Sequence, residues 1–215
     1  MNLKPTNHKC RLYLITPPDF ILSEFRQKLA LALDSGDIAC VQLRLKNASE
    51  RRIMKTIESL RPIVQERNVS FILNDDPKLA YQGGCNGVHI GQKDAVYEDA
   101  RDILGASATI GVTCKNDPQL AILASENGAN YVAFGAFFPT KTKITYNRAS
   151  PEIINIWSQT MNIPSVAIGG ITPKNCAPLV RAGANFLAVI SSVWEHAGGP
   201  GAAIQEFNRV ISNNS

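Results

Sequence analysis

The sequence lacks the features that mark secreted, membrane and nucleic-acid-binding proteins. None of its 215 residues belongs to an apolar run near the ~18 residues that a membrane helix needs. The opening stretch, M-N-L-K-P-T-N-H-K-C, has no apolar segment typical of a signal peptide. Five cysteines stand far apart without a C-x-x-C pair, which predicts reduced, mostly buried thiols in a cytoplasmic protein. A scattered net charge of +4 gives no support for nucleic-acid binding, but it suits an anionic small substrate.

Common catalytic signatures are also missing. No Ser-His-Asp order or zinc-ligand spacing occurs, and no G-x-G-x-x-G opens a helix. His8 and His196 have no neighbours that suggest chemistry. His89 alternates with Val88 and Ile90 in a short apolar run, which favours a packed, hydrogen-bonded histidine over a catalytic base.

What the sequence does contain is a regular alternation of short apolar runs and helical segments. The predicted strands are Arg11 to Thr16, Ile38 to Leu43, Val69 to Leu73, Gly87 to Ile90, Ala108 to Val112, Tyr131 to Phe134, Ser165 to Ile168 and Phe186 to Ile190. Such continuous apolar runs are typical of parallel strands covered on both faces. Ser150-Pro151 and Thr172-Pro173 are typical helix starts.

Eight strand–helix units with short links predict an α/β protein, a closed (β/α)8 TIM barrel. We expect a single domain over residues 1–215, with residues 1–10 as an N-terminal lead-in. An open, doubly wound sheet is the alternative, weakened by the missing dinucleotide fingerprint.

In such barrels the catalytic groups lie just past the carboxyl ends of the strands. The second strand runs into Q-L-R-L-K, where Gln42, Arg44 and Lys46 alternate and therefore point the same way. The alternative is a strand end that frays into solvated basic residues. Thr113 follows the fifth strand and offers a hydroxyl at the same rim.

Two acidic residues at this rim suggest a metal site. Asp75 follows the third strand in N-D-D, and Asp94 follows the fourth in H-I-G-Q-K-D. Neighbouring loops would bring the two carboxylates together to share one hard cation, Mg²⁺, with substrate phosphates supplying further ligands. The segment Asn74-Asp75-Asp76-Pro77 is equally typical of a turn and helix cap.

The remaining loops suggest two anion sites. Thr140, Thr142 and Lys143 lie in the segment G-A-F-F-P-T-K-T-K. Its hydroxyl and ammonium groups predict a binding loop for a phosphorylated ligand, and the alternative is a solvated, charged loop. Gly170 and Ser191 follow the last two strands, where backbone N–H groups of such barrels commonly bind phosphate. We expect a monophosphate at Gly170 and Ile190-Ser191. A diphosphate and its metal would bind at the second site, formed by Arg44, Lys46 and Lys143.

Six motifs, in order and at the right strand ends, resemble the thiamine phosphate synthase (thiamine-phosphate pyrophosphorylase) family over nearly the whole chain. They are Q-L-R-L-K at Gln42, N-D-D at Asn74, G-V-H-I-G-Q-K-D at Gly87, F-G-A-F-F-P-T-K-T-K at Phe134, A-I-G-G-I at Ala167 and A-V-I-S-S at Ala188. The resemblance implies a TIM-barrel transferase. Such an enzyme joins 4-amino-2-methyl-5-hydroxymethylpyrimidine diphosphate to a thiazole phosphate, carboxylated or not, with Mg²⁺ and by a dissociative mechanism.

The resemblance also implies residue roles. The pyrimidine diphosphate would be held by Gln42, Arg44, Lys46, Asn74, Thr113 and Lys143, of which Arg44, Lys46, Thr113 and Lys143 would act in catalysis. Asp75 and Asp94 would bind Mg²⁺, and the thiazole phosphate would contact Thr140, Thr142, Gly170, Ile190 and Ser191. The family usually has serine where this chain has Thr113, and the role of Lys115 is open. The alternatives are a thiazole tautomerase-like isomerase and a non-catalytic thiamine-phosphate binder, and an oligomer is possible.

Overall fold

The computed structural model describes residues 9–140 and 148–215, whose eight parallel strands pair in sequence order and close into a barrel. The strands are β1 (Arg11–Ile15), β2 (Ile38–Leu43), β3 (Ser70–Asn74), β4 (Gly87–Ile90), β5 (Thr109–Lys115), β6 (Tyr131–Gly135), β7 (Ser165–Ile168) and β8 (Phe186–Val189). Closure comes from β1 beside β8, with Leu12 aligned to Leu187. The predicted TIM barrel is therefore confirmed, and the open sheet is excluded.

Helices surround the barrel between successive strands. They are α1 (Leu22–Asp34), α2 (Glu50–Gln65), α3 (Pro77–Gln82), α4 (Tyr97–Leu104), α5 (Pro118–Glu126), α6 (Pro151–Thr160), α7 (Ala177–Arg181), α8 (Ser191–Trp194) and α9 (Gly199–Ser212). Three of them begin with a capping side chain followed by proline, at Asp76-Pro77, Asp117-Pro118 and Ser150-Pro151. No helix among the described residues combines the length and apolar character needed to cross a membrane.

The helix expected at Thr172-Pro173 starts later, at Ala177, so that expectation is wrong. Asn175 explains the delay, because its side-chain oxygen accepts the Thr172 N–H at 2.8 Å while its amide donates to the Gly170 carbonyl at 3.0 Å. This closes a separate turn before the helix. The turn fixes the backbone that follows β7.

Two hydrophobic layers hold the strands. The outer layer fills the space between barrel and helices and includes Leu14, Leu43 and Phe134. The inner layer lies within the barrel and consists of Tyr13, Ala39, Cys40, Ile72, Tyr131, Ala133, Val166, Phe186 and Ala188. The two tyrosines put hydroxyl groups inside an otherwise apolar interior, and such groups need hydrogen-bond partners there.

Strand β5 extends to Lys115, beyond the expected end at Val112. Its register with β6 shifts between Thr113 and Lys115, and Lys115 has a φ of 57°. The Cys114 thiol is buried in the outer layer, whereas Thr113 reaches the barrel mouth. The irregularity therefore re-aims the strand end where a functional hydroxyl was expected.

All five cysteines lie within the described ranges, where they are unpaired; all except Cys85 are buried. The expectation of mostly buried thiols is confirmed. The proposed lead-in of residues 1–10 falls mainly on residues 1–8, outside those described.

Candidate active site

Strands β2 and β3 bring two expected site residues into contact. Gln42 is 3% exposed, and its side-chain amide donates to the Asn74 oxygen at 2.5 Å. Its partner Asn74 is the last residue of β3. The alternating β2 positions thus do place Gln42 toward the barrel interior, next to the neighbouring strand end.

The backbone at Arg44 and Lys46 is hydrogen-bonded to the residues that follow β1. The Arg44 N–H donates to the Thr16 hydroxyl at 3.0 Å, and the Thr16 N–H donates to the Gln42 carbonyl at 3.0 Å. Farther out, the Lys46 N–H donates to the Pro18 carbonyl at 3.0 Å. Thr16 is 1% exposed and was missed from the sequence. It could have been found as the polar residue ending the first predicted strand.

Asp75 and Asp94 come together on adjacent loops, as expected. Asp75 adopts a φ of 69°, and its N–H donates to the His89 carbonyl at 2.8 Å. Desolvation and the hydrogen-bonded Asp94 carboxylate, in that order, raise the pKa of Asp75 to about 6, while Arg44 opposes the shift. Asp94 itself accepts the Gly91 N–H at 2.7 Å. Neighbouring carboxylate oxygens are the kind of ligand that a hard cation prefers.

The following residue, Asp76, caps α3 through a hydrogen bond from the Leu79 N–H at 2.9 Å. The turn-and-cap interpretation of Asn74-Asp75-Asp76-Pro77 is therefore confirmed at Asp76, whereas the metal role of Asp75 stays a prediction. Within 9–140 and 148–215, no cluster of three or more His, Cys, Asp or Glu side chains could hold a metal. A cation at Asp75 and Asp94 would thus complete its coordination with oxygens from a ligand or water.

His89 lies inside the barrel and is 8% exposed. Its Nδ1 lies 3.0 Å from the Tyr131 hydroxyl, and its Nε2 lies 2.7 Å from Thr113 Oγ1. Burial lowers the pKa of His89 to about 4, with Asp94 opposing the shift and Arg44 adding to it. The packed, hydrogen-bonded histidine that the sequence favours is what the structure shows.

Thr113 is fixed on its backbone side as well. The Gln92 amide donates to the Thr113 carbonyl at 2.8 Å. Gln92 lies in the H-I-G-Q-K-D segment, but no feature of that segment indicates this contact. The Thr113 hydroxyl and carbonyl are therefore both positioned from the β4 side.

The exits of β6 and β7 lie side by side near Gly170. A Cβ on Gly170, whose φ is 64°, would lie 2.3 Å from the Pro139 carbonyl oxygen. Among the described residues, no acceptor takes the backbone N–H of Gly170 or Ser191. Backbone N–H groups of this kind can bind an anion.

The remaining expected phosphate contacts lie on both sides of these donors. Thr140 directly follows Pro139, and Ile190 follows the last residue of β8. Thr142 and Lys143 lie outside the described residues, which resume at 148. Asn86 accepts the Phe71 N–H at 2.8 Å ahead of β4, away from the mouth.

Comparison with known proteins identifies the family of this chain. A family model described as thiamine monophosphate synthase matches residues 12–193. The chain belongs to the thiamine monophosphate synthase family. The thiamine-phosphate synthase of Rhodospirillum centenum is 56% identical over 202 residues, covering 94% of this chain and 98% of the relative. That of Hyphomonas neptunium is 46% identical over 210 residues, covering 95% of each chain.

A solved structure of this family has the same barrel. The thiamine phosphate pyrophosphorylase of Pyrococcus furiosus superposes with a TM-score of 0.82 at 29% identity, covering 96% of this chain and 97% of that one. The protein is accordingly an enzyme, a transferase of thiamine biosynthesis with thiamine-phosphate synthase activity.

Proposed function

We propose that this synthase joins 4-amino-2-methyl-5-hydroxymethylpyrimidine diphosphate to a thiazole phosphate, giving thiamine phosphate and diphosphate. The thiazole would be taken in its carboxylated or decarboxylated form. One observation carries the proposal: Asp75 and Asp94 adjoin each other at the barrel mouth, within electrostatic reach of Arg44. A thiazole tautomerase or a thiamine-phosphate binder would need no such cation site beside basic side chains.

The diphosphate substrate would occupy the mouth above β2 to β5. Gln42 and Asn74 are proposed to bind the pyrimidine diphosphate, and Arg44, Lys46, Thr113 and Lys143 to contact its phosphates. Asp75 and Asp94 fit Mg²⁺, because both offer carboxylate oxygens. Desolvation and then the neighbouring Asp94 carboxylate raise the pKa of Asp75, and a bound cation would oppose that shift. Bound Mg²⁺ would supply positive charge to the departing diphosphate.

The thiazole phosphate would bind above β6 to β8. The N–H groups of Gly170 and Ser191 are without acceptors among the described residues and would serve its phosphate. Thr140, Thr142 and Ile190 would complete this contact set. Small side chains at the exit of β7 let the phosphate approach the backbone.

The chemical step suits this division. The bond between the pyrimidine methylene carbon and the diphosphate oxygen breaks, and its electron pair leaves with diphosphate. Arg44, Lys46 and Lys143 stabilise that charge, while Thr113 donates a hydrogen bond. The electron-rich aminopyrimidine stabilises the resulting cation, and the thiazole nitrogen then donates its lone pair to the methylene carbon. The reaction needs no protein nucleophile.

The test is to measure thiamine phosphate and diphosphate from the two substrates while Mg²⁺ is titrated. We expect equimolar products that depend on Mg²⁺. A tautomerase would release no diphosphate, and a binder would retain thiamine phosphate without making it. Either result would refute the proposal.

The five unpaired cysteines are consistent with the cytoplasmic location that we also propose.

A further inference from the structure

A chain of hydrogen bonds runs from the barrel interior to Thr113. The hydroxyls of Tyr13 and Tyr131 lie 2.8 Å apart. The Tyr131 hydroxyl lies 3.0 Å from His89 Nδ1, and His89 Nε2 lies 2.7 Å from Thr113 Oγ1. Tyr13 is 1% and Tyr131 is 0% exposed, so water does not reach these hydroxyls. Thr113 is the residue at which these hydrogen bonds reach the candidate active site.

Each ring nitrogen of His89 faces a hydroxyl, and neither faces a carboxylate. A buried imidazole between two hydroxyls is neutral and carries one N–H. If the proton is on Nε2, His89 donates to Thr113, and the Thr113 O–H can donate elsewhere. If the proton is on Nδ1, the Thr113 O–H is used up by Nε2, and only its lone pairs face the mouth.

We propose that His89 is a positioning residue whose Nε2–H holds the Thr113 hydroxyl as a hydrogen-bond donor toward the departing diphosphate. This inference rests on the proposed function, because it takes Thr113 to contact that group. Diphosphate oxygens only accept hydrogen bonds, so the ligand selects the arrangement in which Thr113 donates.

Once Thr113 donates to the diphosphate, the directions of the other hydrogen bonds are fixed. His89 Nδ1 must then accept the Tyr131 O–H, and the Tyr131 oxygen can accept the Tyr13 O–H. Each O–H or N–H group in this series of hydrogen bonds therefore donates to the neighbour that lies nearer the barrel mouth. The Gln92 contact fixes the Thr113 backbone, so the imidazole has only the hydroxyl left to orient.

The kinetic test is a double-mutant cycle on diphosphate release. We expect Thr113→Val to lower kcat about a hundredfold, as for loss of one donor to a developing oxyanion. His89→Leu should lower kcat about tenfold, and the double variant about a hundredfold rather than a thousandfold, because both changes remove one function. Additive losses would overturn the role of His89. Thermal melting of each variant checks that it is folded.

A rescue variant separates positioning from packing. His89→Gln can place an amide N–H near the Nε2 position, so we expect its kcat to recover to within about threefold of the unaltered protein. The KM for thiazole phosphate should stay within about threefold in all four variants. A kcat for His89→Gln as low as that of His89→Leu would overturn the proposal.

The spectroscopic test reads the tautomer directly, by ¹⁵N NMR of histidine-labelled protein with Mg²⁺ and inorganic diphosphate. The His89 signal is assigned by its loss in His89→Gln. We expect a proton on Nε2 and none on Nδ1, and the opposite tautomer would overturn the proposal. If the unaltered protein made no thiamine phosphate, the proposed function would fail. If it made product but showed additive losses or the Nδ1–H tautomer, only the role of His89 would fail.

Discussion

Replacing Asp94 tests the proposed cation site most sharply, because the structure separates two roles of this side chain. Asp94 contributes the charge that, after desolvation, raises the pKa of Asp75. It also accepts the Gly91 N–H at 2.7 Å and so holds its own loop. Asp94→Ala removes both roles. Asp94→Asn removes the charge but keeps an oxygen that can accept from Gly91.

The two variants should therefore lose activity equally and stability unequally. Loss of one metal-stabilised contact in the transition state corresponds to a drop in turnover of about a hundredfold, near 2.7 kcal/mol. The lost loop hydrogen bond of Asp94→Ala should cost about 1 kcal/mol of unfolding free energy. For a chain of this size that is a Tm lowered by about 2–4 °C. Asp94→Asn should melt at or slightly above the Tm of the unaltered protein, because the repulsion at Asp75 is relieved.

The assay is diphosphate release at saturating substrates across a Mg²⁺ titration, with melting curves on the same samples. Asp102→Asn, an exposed position on α4, is the matched control for loss of a carboxylate and should behave like the unaltered protein. Unaltered turnover by Asp94→Asn at limiting Mg²⁺ would refute the cation site. Equal destabilisation by both variants would refute the loop role.

Four further expectations concern the two proposed anion sites, the buried histidine and the chemical step. Gly170→Val should weaken thiazole phosphate binding by about tenfold or more and also lower Tm, since its Cβ would lie 2.3 Å from the Pro139 oxygen. Lys143→Ala should instead weaken binding of the pyrimidine diphosphate and leave the affinity for thiazole phosphate within about threefold. Calorimetric titration measures both affinities, and weaker binding of the same ligand in both variants would contradict the division into two anion sites. The unfolded chain takes up a proton on His89 below its ordinary pKa of 6.5, whereas the folded protein does so only near 4, so this residue makes stability fall as pH falls between those values. This loss of unfolding free energy, on the order of 3 kcal/mol, should be absent when urea unfolding of His89→Gln is measured against pH. His196→Gln is the control, and an unchanged pH dependence in His89→Gln would count against the buried neutral imidazole. A trifluoromethyl group in place of the pyrimidine methyl should slow single-turnover product formation steeply, because it destabilises the cation, and near-equal rates would remove the cation from the mechanism.

The fold was predictable because its signals are local. Continuous apolar runs and the cap-proline pairs at Ser150-Pro151 and Asp117-Pro118 each depend on only a few neighbouring residues. The errors arose where a competing local contact overrides such a signal or where an element is too short to show one. Thr172-Pro173 has the composition of a helix start, but Asn175 closes a turn first. The four-residue helix α8 is too short to show any helical periodicity.

The candidate site was predictable for a different reason. In a parallel barrel all carboxyl ends of the strands meet at one rim, so listing the polar residues after each strand collects the site. This is how Asp75 and Asp94 could be paired from residues far apart in sequence. Contacts between particular side chains follow no such rule. Tyr131 lies 42 positions from His89, and nothing in either segment indicates that the two bond.

The two proposed anion sites also differ in how they are built, and this difference bears on the order in which they would be used. Behind the monophosphate site, the exits of β6 and β7 are joined by backbone hydrogen bonds from Phe137 to Ile168 and from Phe138 to Gly169, both at 3.1 Å. Donors on such a framework are in place before a ligand arrives. The proposed diphosphate site instead depends on Arg44 and Lys46, which follow β2, and on Asp75 and Asp94, where desolvation and then the Asp94 carboxylate raise the pKa of Asp75. If Mg²⁺ and diphosphate bind there as proposed, the full electrostatic strength of this site would develop only when both are present. Bond cleavage would then be tied to occupancy of the site in which the leaving group is stabilised.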